Sequence, residues 1–271
     1  MTTATPTATM IEFKDIELRT GVRLRYADAG PRDGRPLLLL HGYSDSSFSF
    51  RPLLSDPVPN ARFIMPDQRG HGESGRPPEG YSLDGFAMDA IALLDGLGIE
   101  SAVVVGHSLG SFIGQRMAVL APMRVGRLVL VGSAHTPCND VVASMKPIVD
   151  SLTDPVDVEF VREFQLSTIH RPVPPRFLDR VIAESLKLPA RVWKAVLAGL
   201  LDPPLPVEPG VIRCPTTLIW GDKDAIFGRS EQEDLRQRIP GAALHVMTDV
   251  GHAVHWEATD DFSRYLAAAI R

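Results

Sequence analysis

Cysteine is scarce in this chain, and so are the features that would mark a membrane or secreted protein. Only two cysteines occur among 271 residues, and neither Cys138 nor Cys214 lies in a metal-binding or redox spacing. No apolar run approaches the roughly 18 residues of a membrane span. A secretion signal is not predicted either, because the opening MTTATPTATM has no basic region and no apolar region. We therefore expect a cytoplasmic protein with no disulfide framework and no membrane contact.

A basic surface is also missing. The chain has 28 Lys and Arg against 33 Asp and Glu, for a net charge of −5. Nucleic-acid binding needs clustered basic residues, so we expect no nucleic-acid partner. The histidines and acids fall in no metal-ligand spacing, and no metal or other cofactor is expected. What is present, 44% hydrophobic and 23% charged residues, is typical of a globular domain.

Short buried strands alternate with helices over most of the chain. After a hairpin with its turn at Thr20–Gly21, continuous apolar runs predict further strands, among them PLLLLHG, SAVVVGHS and VGRLVLVGS. Between them, a helix capped by Ser82 and ended by Gly98 fits the apolar spacing. Such alternation predicts an α/β fold, with a mostly parallel central sheet flanked by helices on both faces.

The alternation stops after Ser133. Residues 134–211 contain helical segments and many prolines but no convincing strand, which predicts a helical cap inserted over one end of the sheet. The core then consists of residues 11–133 and 212–271. Residues 1–10, rich in Thr, Ala and Pro, are expected to form a disordered tail.

The stretch VVVGHSLGS places Ser108 in the spacing G-x-S-x-G between a predicted strand and a predicted helix. A sharp turn there strains the backbone of the central residue and exposes its side chain at the end of the sheet. Glycines two positions away let neighbouring backbone approach closely. A serine hydroxyl attacks well only when an imidazole takes its proton and an acid orients that imidazole. Ser108 is therefore a candidate nucleophile that needs both partners.

The later loops supply both partners. His252 follows the last predicted strand, at the edge where active sites of open α/β sheets gather, and is the predicted base. His255 is expected to begin the final helix, and His245 to lie inside a strand. Two acids follow a buried strand in the stretch IWGDKD: Asp222 suits a turn, whereas Asp224 can better reach the histidine loop. Asp224 is the predicted acid.

An oxyanion hole needs two backbone N–H donors aimed at the developing alkoxide. Leu109, directly after Ser108 at the helix start, supplies one candidate, since free N–H groups and the helix dipole favour negative charge there. Tyr43, in the loop HGYSDSS after the third strand, supplies the other, and Gly42 allows this loop to pass close.

Five motifs together resemble the signature set of the α/β-hydrolase superfamily, in the branch with a helical cap after the sixth strand. They are HGYSDSS, DQRGHGESG, GHSLG, GDKD and GHAVHWE, and the resemblance runs from about Ile11 to Ile270. The resemblance implies the same site residues: Ser108, Asp224 and His252 as the triad, with Tyr43 and Leu109 as oxyanion donors. Two departures, Ser111 in place of a common glycine and Thr259 in place of a proline, are expected to leave the chemistry untouched.

The resemblance implies a serine hydrolase that cleaves a carboxylic ester or lactone through an acyl-enzyme intermediate. Epoxide hydrolases and haloalkane dehalogenases of this superfamily carry aspartate at the position of Ser108, so the serine argues against both activities. Carbon–carbon bond hydrolases of aromatic degradation are an alternative, although their loop is usually HGxGPG-like. Metal-free haloperoxidases (perhydrolases) are a second alternative, and a hydrolase-fold ligand receptor is the non-enzymatic one.

The substrate pocket is predicted less sharply than the triad. Trp193, Phe227 and Val254 are the candidate lining residues, and no Lys or Arg in the motifs stands out as a carboxylate clamp. An uncharged, partly apolar small-molecule ester or lactone is therefore the expected partner. The sequence predicts no oligomeric state.

Overall fold

The computed structural model of this chain describes residues 10–202 and 208–270. Its strands are β1 (Ile11–Glu17), β2 (Arg23–Ala29), β3 (Arg35–Leu40), β4 (Ala61–Pro66), β5 (Ala102–His107), β6 (Val125–Val131), β7 (Thr216–Gly221) and β8 (Ala243–Met247). Its helices are α1 (Leu83–Gly96), α2 (Leu109–Leu120), α3 (Asp140–Ser144), α4 (Lys146–Asp150), α5 (Val158–Ser167), α6 (Pro175–Ser185), α7 (Ala190–Leu201), α8 (Arg229–Arg238), α9 (Val254–Glu257) and α10 (Thr259–Ala269). The tail predicted at residues 1–10 lies, apart from Met10, outside the described residues, as do residues 203–207 of the predicted cap.

The eight described strands form one sheet in the order β1-β2-β4-β3-β5-β6-β7-β8. Strand β2 pairs antiparallel with β1 and with β4, whereas every other neighbouring pair is parallel. The predicted α/β fold with a mostly parallel sheet is confirmed. Because β3, β5, β6, β7 and β8 run in the same direction, their carboxyl ends meet at one edge of the sheet.

Helices cover both faces of this sheet. Successive side chains of a strand point to opposite faces, and β5 divides its valines accordingly. Val103 and Val105 belong to the apolar cluster that includes Phe262 of α10, and Val104 belongs to the cluster that includes Ile113 of α2. The continuous apolar run of β5 therefore reflects burial on both sides.

Local signals set the ends of α1 as the sequence predicts. The Ser82 hydroxyl accepts a hydrogen bond from the Gly85 N–H at 3.1 Å, which satisfies one of the free donors of the first turn. Gly98 then takes a φ of +66°, a conformation that costs glycine little. Helix α1 packs along α2, the helix that begins at the candidate nucleophile.

Helices α3 to α7 lie between β6 and β7, and we call them the inserted helices. They pack in pairs, α4 against α7 and α5 against α6, and α6 also contacts a 3-10 turn at Ser47–Leu54. A small apolar cluster joins Val181 of α6 to Ala253 and Trp256 at α9. The inserted helices therefore cover the loops that follow β3 and β8.

Candidate active site

Ser108 lies in a sharp turn between β5 and α2. Its backbone has φ +51° and ψ −119°, a strained conformation for a residue with a side chain. The glycines on either side are sterically required: a Cβ on Gly106 would lie 2.1 Å from the Gly110 oxygen, and one on Gly110 would lie 2.0 Å from the Leu40 oxygen. The turn leaves Ser108 partly exposed between buried neighbours. This is the geometry that a nucleophile elbow requires.

Asp224 and His252 form a buried hydrogen-bonded pair. The distance from His252 Nδ1 to Asp224 Oδ2 is 2.8 Å, with side-chain exposures of 2% and 0%. The other carboxylate oxygen accepts the N–H groups of Ile226 and Phe227 at 2.8 and 3.1 Å. Because a carboxylate only accepts, His252 Nδ1 carries the proton and Nε2 is left as an acceptor. Within the described residues, Nε2 has no hydrogen-bond partner.

The serine and the histidine follow different strands of the same sheet edge. Ser108 follows β5, Asp224 follows β7 and His252 follows β8, while Gly132 at the end of β6 makes room between them. A Cβ on Gly132 would lie 2.8 Å from two atoms of the His252 ring. The structure brings the three residues to one edge without a Ser108–His252 hydrogen bond among the described groups. Such catalytic hydrogen bonds are often long in unliganded enzymes.

The two candidate oxyanion donors come from adjacent strand ends. Tyr43 follows β3 and Leu109 follows β5, and these strands are neighbours in the sheet. Neither N–H donates a hydrogen bond to any group in residues 10–202 and 208–270. A free N–H at the first residue of α2 also lies at the positive end of that helix. Both donors are therefore available to a negatively charged oxygen.

The rejected candidates have other partners. Asp222 accepts the Asp249 N–H at 2.6 Å and so joins two loops, as a turn-forming residue would. His245 lies in β8 and stacks on Tyr265. The prediction that His255 begins the final helix is wrong: His255 lies in α9, a separate short helix, because the non-helical backbone of Ala258 separates α9 from α10.

The three candidate pocket residues are dispersed. The Phe227 ring lies 5.8 Å from the His252 ring, and Trp193 packs edge-on against Tyr43 at 5.0 Å. Val254 belongs to the apolar cluster between the sheet and α10. All three side chains are buried in apolar clusters: Phe227 lies beside the candidate base, Trp193 lies beside Tyr43 of the oxyanion loop, and Val254 lies between the sheet and α10.

Sequence reasoning missed Asp45, although it lies in the quoted motif HGYSDSS. The Asp45 side chain is buried, and its Oδ1 accepts from Gln165 Nε2 of α5 at 3.2 Å. Burial raises the pKa of Asp45 to about 7, although the Gln165 hydrogen bond, a charge on His252 and the Gly42 backbone act in the opposite direction. A carboxyl group that titrates near neutrality thus faces the candidate base. The only sequence signal was an acid inside a site loop.

Ser111, one of the two departures from the family motifs, contacts the backbone of the candidate nucleophile. Its hydroxyl donates to the Ser108 carbonyl at 2.6 Å and lies 2.8 Å from the Ser133 hydroxyl, which also accepts from Gln115 Nε2 at 3.0 Å. These contacts connect the elbow backbone to the loop after β6. Thr259, the other departure, donates to the His255 carbonyl at 2.9 Å. Ser111 therefore holds the backbone of the candidate nucleophile, whereas Thr259 joins α9 to α10.

Four further histidines near this edge are buried, and none of them has a carboxylate partner among residues 10–202 and 208–270. Burial lowers the pKa of His71 to about 4 and of His255 to about 3, and it lowers the pKa values of His41 and His107 well below the usual range. They pack as neutral rings, His107 lying 4.8 Å from the His252 ring. His252 alone among these five has a carboxylate on its Nδ1.

The described residues form neither a metal-binding cluster nor a membrane-spanning helix. Across the described ranges, no group of three or more His, Cys, Asp or Glu side chains is arranged to hold a metal ion. None of the described helices is long and apolar enough to cross a bilayer.

Comparison with known proteins adds two relatives and a solved structure. The cis-3-alkyl-4-alkyloxetan-2-one decarboxylase of Shewanella oneidensis is 28% identical over 284 residues, which span 93% of this chain and 87% of that protein. Lipase 1 of Psychrobacter immobilis is 26% identical over 260 residues, 93% of this chain and 81% of the lipase. The enol-lactonase structure from Burkholderia xenovorans LB400 has a TM-score of 0.82 at 19% identity, covering 95% of this chain and 99% of that chain.

The match to a family model is more extensive than any single motif. A model described as "Alpha/beta hydrolase family" matches residues 37–265, from β3 into α10. The likeness to the enol-lactonase structure, at its low identity, shows a shared fold. With the family model covering most of its length, this chain belongs to the alpha/beta hydrolase family.

Proposed function

We propose that this protein is a serine hydrolase that cleaves a carboxylic ester or lactone through an acyl-enzyme intermediate. The observation that carries the proposal is the Asp224–His252 hydrogen bond of 2.8 Å, which leaves His252 Nε2 as a free acceptor at the sheet edge of the Ser108 elbow. A base in this state accepts the proton of a serine hydroxyl. Membership of a hydrolase family, and similarity to a lipase, support the same reaction class.

In the proposed acylation, Ser108 Oγ attacks the carbonyl carbon while its proton passes to His252 Nε2. The carbonyl oxygen becomes an oxyanion and accepts the N–H groups of Tyr43 and Leu109. His252 then gives the proton to the leaving alkoxyl oxygen as the carbon–oxygen bond breaks. For an ester the alcohol departs, and for a lactone it stays tethered to the acyl group.

Deacylation repeats these steps with water. A water molecule attacks the acyl carbon and gives a proton to His252, and the resulting oxyanion uses the same two N–H donors. Collapse breaks the bond to Ser108 Oγ, which takes the proton back from His252, and the carboxylic acid is released. Asp224 holds the imidazole in the required tautomer throughout and stabilises its positive charge.

The proposal is tested by hydrolysis of a chain-length series of nitrophenyl esters and a panel of lactones, with wild type and Ser108→Ala. We expect many turnovers by wild type and a loss of about 10³-fold or more in kcat in the variant, with its circular dichroism unchanged. Wild-type rates in Ser108→Ala would refute the mechanism. A single stoichiometric acylation without turnover would instead favour the ligand-receptor alternative.

A further inference from the structure

Helix α5 touches the loops on both sides of the candidate active site. Its Gln165 side chain, in a residue that is 1% exposed, reaches the loop after β3 through Asp45 and Ser44. At its end, the Thr168 carbonyl accepts the N–H of His252 at 3.0 Å. The position of this one inserted helix is therefore connected to the oxyanion loop and to the candidate base.

The contacts of Gln165 form a buried polar network. Its Nε2 lies 3.2 Å from Ser44 Oγ, 3.2 Å from Asp45 Oδ1 and 2.9 Å from Ser185 Oγ at the end of α6. An amide group carries two hydrogens, so these three oxygens share them. Gln165 Oε1 has no hydrogen-bond partner among the described groups, so the Nε2 contacts are what connect α5 to α6 and to the loop.

The loop that receives these contacts is strained. Ser44 has a φ of +65°, in the left-handed region that a residue with a side chain seldom adopts, and the Asp45 N–H closes a turn by donating to the Gly42 carbonyl. A conformation of this kind persists when its surroundings hold it in place. Gln165 contacts the side chains of the two residues that directly follow Tyr43.

The inserted helices also anchor Tyr43 itself. The Tyr43 hydroxyl donates to the Trp193 carbonyl of α7 at 2.7 Å, and its ring packs edge-on against Phe164 of α5 at 5.6 Å. Its side chain and the two following residues are thus fixed by α5, α6 and α7, while its N–H has no acceptor among the described groups. The direction of that N–H depends on how the inserted helices lie on the sheet.

We propose that Gln165 is a positioning residue, which ties the inserted helices to the loop after β3 so that the Tyr43 N–H points at the oxyanion. This inference rests on the ester or lactone cleavage proposed above. An oxyanion donor acts mainly in the transition state, where the charge develops. A loosened loop should therefore lower kcat and leave KM nearly unchanged.

The kinetic test compares Gln165→Met, which keeps the volume and removes the amide, with Glu163→Gln on the exposed side of the same helix. For Gln165→Met we expect kcat to fall about 10- to 100-fold with KM within about twofold of wild type. Binding of an arylboronic acid, which forms a tetrahedral anionic adduct, should weaken in the same proportion as kcat/KM. Glu163→Gln should match wild type in all three quantities.

Two further measurements separate positioning from a general role in stability. Ser185→Ala removes the hydrogen bond between Gln165 and Ser185 but keeps the contacts of Gln165 with the loop, so it should lower kcat less than Gln165→Met. If Gln165→Met fails to fold, Ser185→Ala takes its place, and a kcat below that of Glu163→Gln is then the expected result. Hydrogen–deuterium exchange of residues 41–49, measured at one pH and temperature, should be faster in Gln165→Met than in Glu163→Gln.

The outcomes distinguish this inference from the proposed function. If wild type turns over esters or lactones, but Gln165→Met keeps its kcat and its loop exchange, the positioning role is refuted. A rise in KM with kcat unchanged would refute it as well, since that result indicates lost substrate binding. If wild type hydrolyses no ester or lactone, the proposed function is refuted, and the exchange measurement decides whether Gln165 orders the loop.

Discussion

Two buried carboxyl groups face His252 from different regions of the molecule. Asp224 lies in the turn after β7, where three N–H donors surround it: two from the backbone and one from the His252 ring. Asp45 lies under the inserted helices, where the Gln165 amide is the side-chain donor to its carboxyl group. Both acids are desolvated, and they differ in the donors that compensate for it. The comparison shows that two buried acids near the same histidine can differ in their donors: Asp224 binds the His252 ring, whereas Asp45 binds the Gln165 amide and has a pKa raised to about 7 by burial.

Of the changes to buried groups, removing the charge of Asp224 should have the largest effect. Asp224→Asn should lower kcat by about 10³- to 10⁴-fold, because an amide neither fixes the His252 tautomer nor stabilises the imidazolium. The measurement is steady-state hydrolysis of the best nitrophenyl ester. Asp222→Asn is the matched control, since Asp222 binds only the Asp249 N–H among these loops, and it should stay within about tenfold of wild type. The reverse ranking would mean that Asp222 is the acid.

Replacing Asp45 with a neutral residue should change how the free energy of unfolding depends on pH. An unfolded aspartate ionises near pH 3.9, whereas Asp45 in the folded chain keeps its proton to about pH 7. The free energy of unfolding of wild type should therefore fall, relative to Asp45→Asn, as the pH rises between these two values, and then stay level. The difference reaches about 4 kcal/mol at pH 8.

Denaturant unfolding of both proteins at pH 4 and pH 8 measures the Asp45 effect. Asp28→Asn is a useful contrast, because ion pairs with Arg62 and Lys14 lower the pKa of Asp28 despite its burial. Its effect should have the opposite sign and lie at lower pH: wild type should gain stability over that variant as the pH rises from the lowered pKa of Asp28 to about 3.9, so this contrast is measured below pH 4. Equal pH dependence in wild type and Asp45→Asn would contradict the neutral state of Asp45.

The same comparison applies to histidines, which are buried either with a carboxylate partner, as His252 is, or without one, as His255 is. His255 is buried beside Ser49 without a carboxylate, and its pKa in the folded chain is lowered to about 3. Because the unfolded chain binds this proton near pH 6.5, the stabilising contribution present above that pH is lost as the pH falls toward 3. Between pH 7 and pH 4.5, wild type should lose about 3 kcal/mol more than His255→Gln in denaturant unfolding. Parallel curves for the two proteins would show that His255 does not stay neutral.

The smallest expected effect concerns the backbone of the elbow. Ser111→Ala removes the hydrogen bond to the Ser108 carbonyl, which should cost about 1 kcal/mol of stability. A slightly displaced Ser108 should also lower kcat by a few-fold. Thermal unfolding and ester hydrolysis check the two quantities, with Thr259→Ala as the control for a serine- or threonine-to-backbone hydrogen bond away from the elbow. An unchanged melting temperature in Ser111→Ala would argue against this contact.

Residues close to strand ends were the ones that sequence reasoning could place. Ser108, Asp224 and His252 each follow a strand within a few positions, and parallel strands bring their carboxyl ends to one edge. Asp45 also follows a strand, β3, but its partner Gln165 lies in an inserted helix 120 positions away, and the two meet only because α5 folds back over the sheet. Val254, a candidate pocket residue, lies instead in the apolar cluster between the sheet and α10, a placement that depends on how α9 packs.

The sequence by itself determined the α/β alternation, the elbow at Ser108 and the order of the acid and the base after it. Those features depend on local rules, namely apolar runs, turn glycines and the common direction of parallel strands. Only the tertiary structure decided which donors surround each buried carboxyl group, and where the inserted helices contact the oxyanion loop. Both depend on packing between segments distant in the chain, because desolvation and hydrogen bonding are set by whatever surrounds a group once the chain is folded.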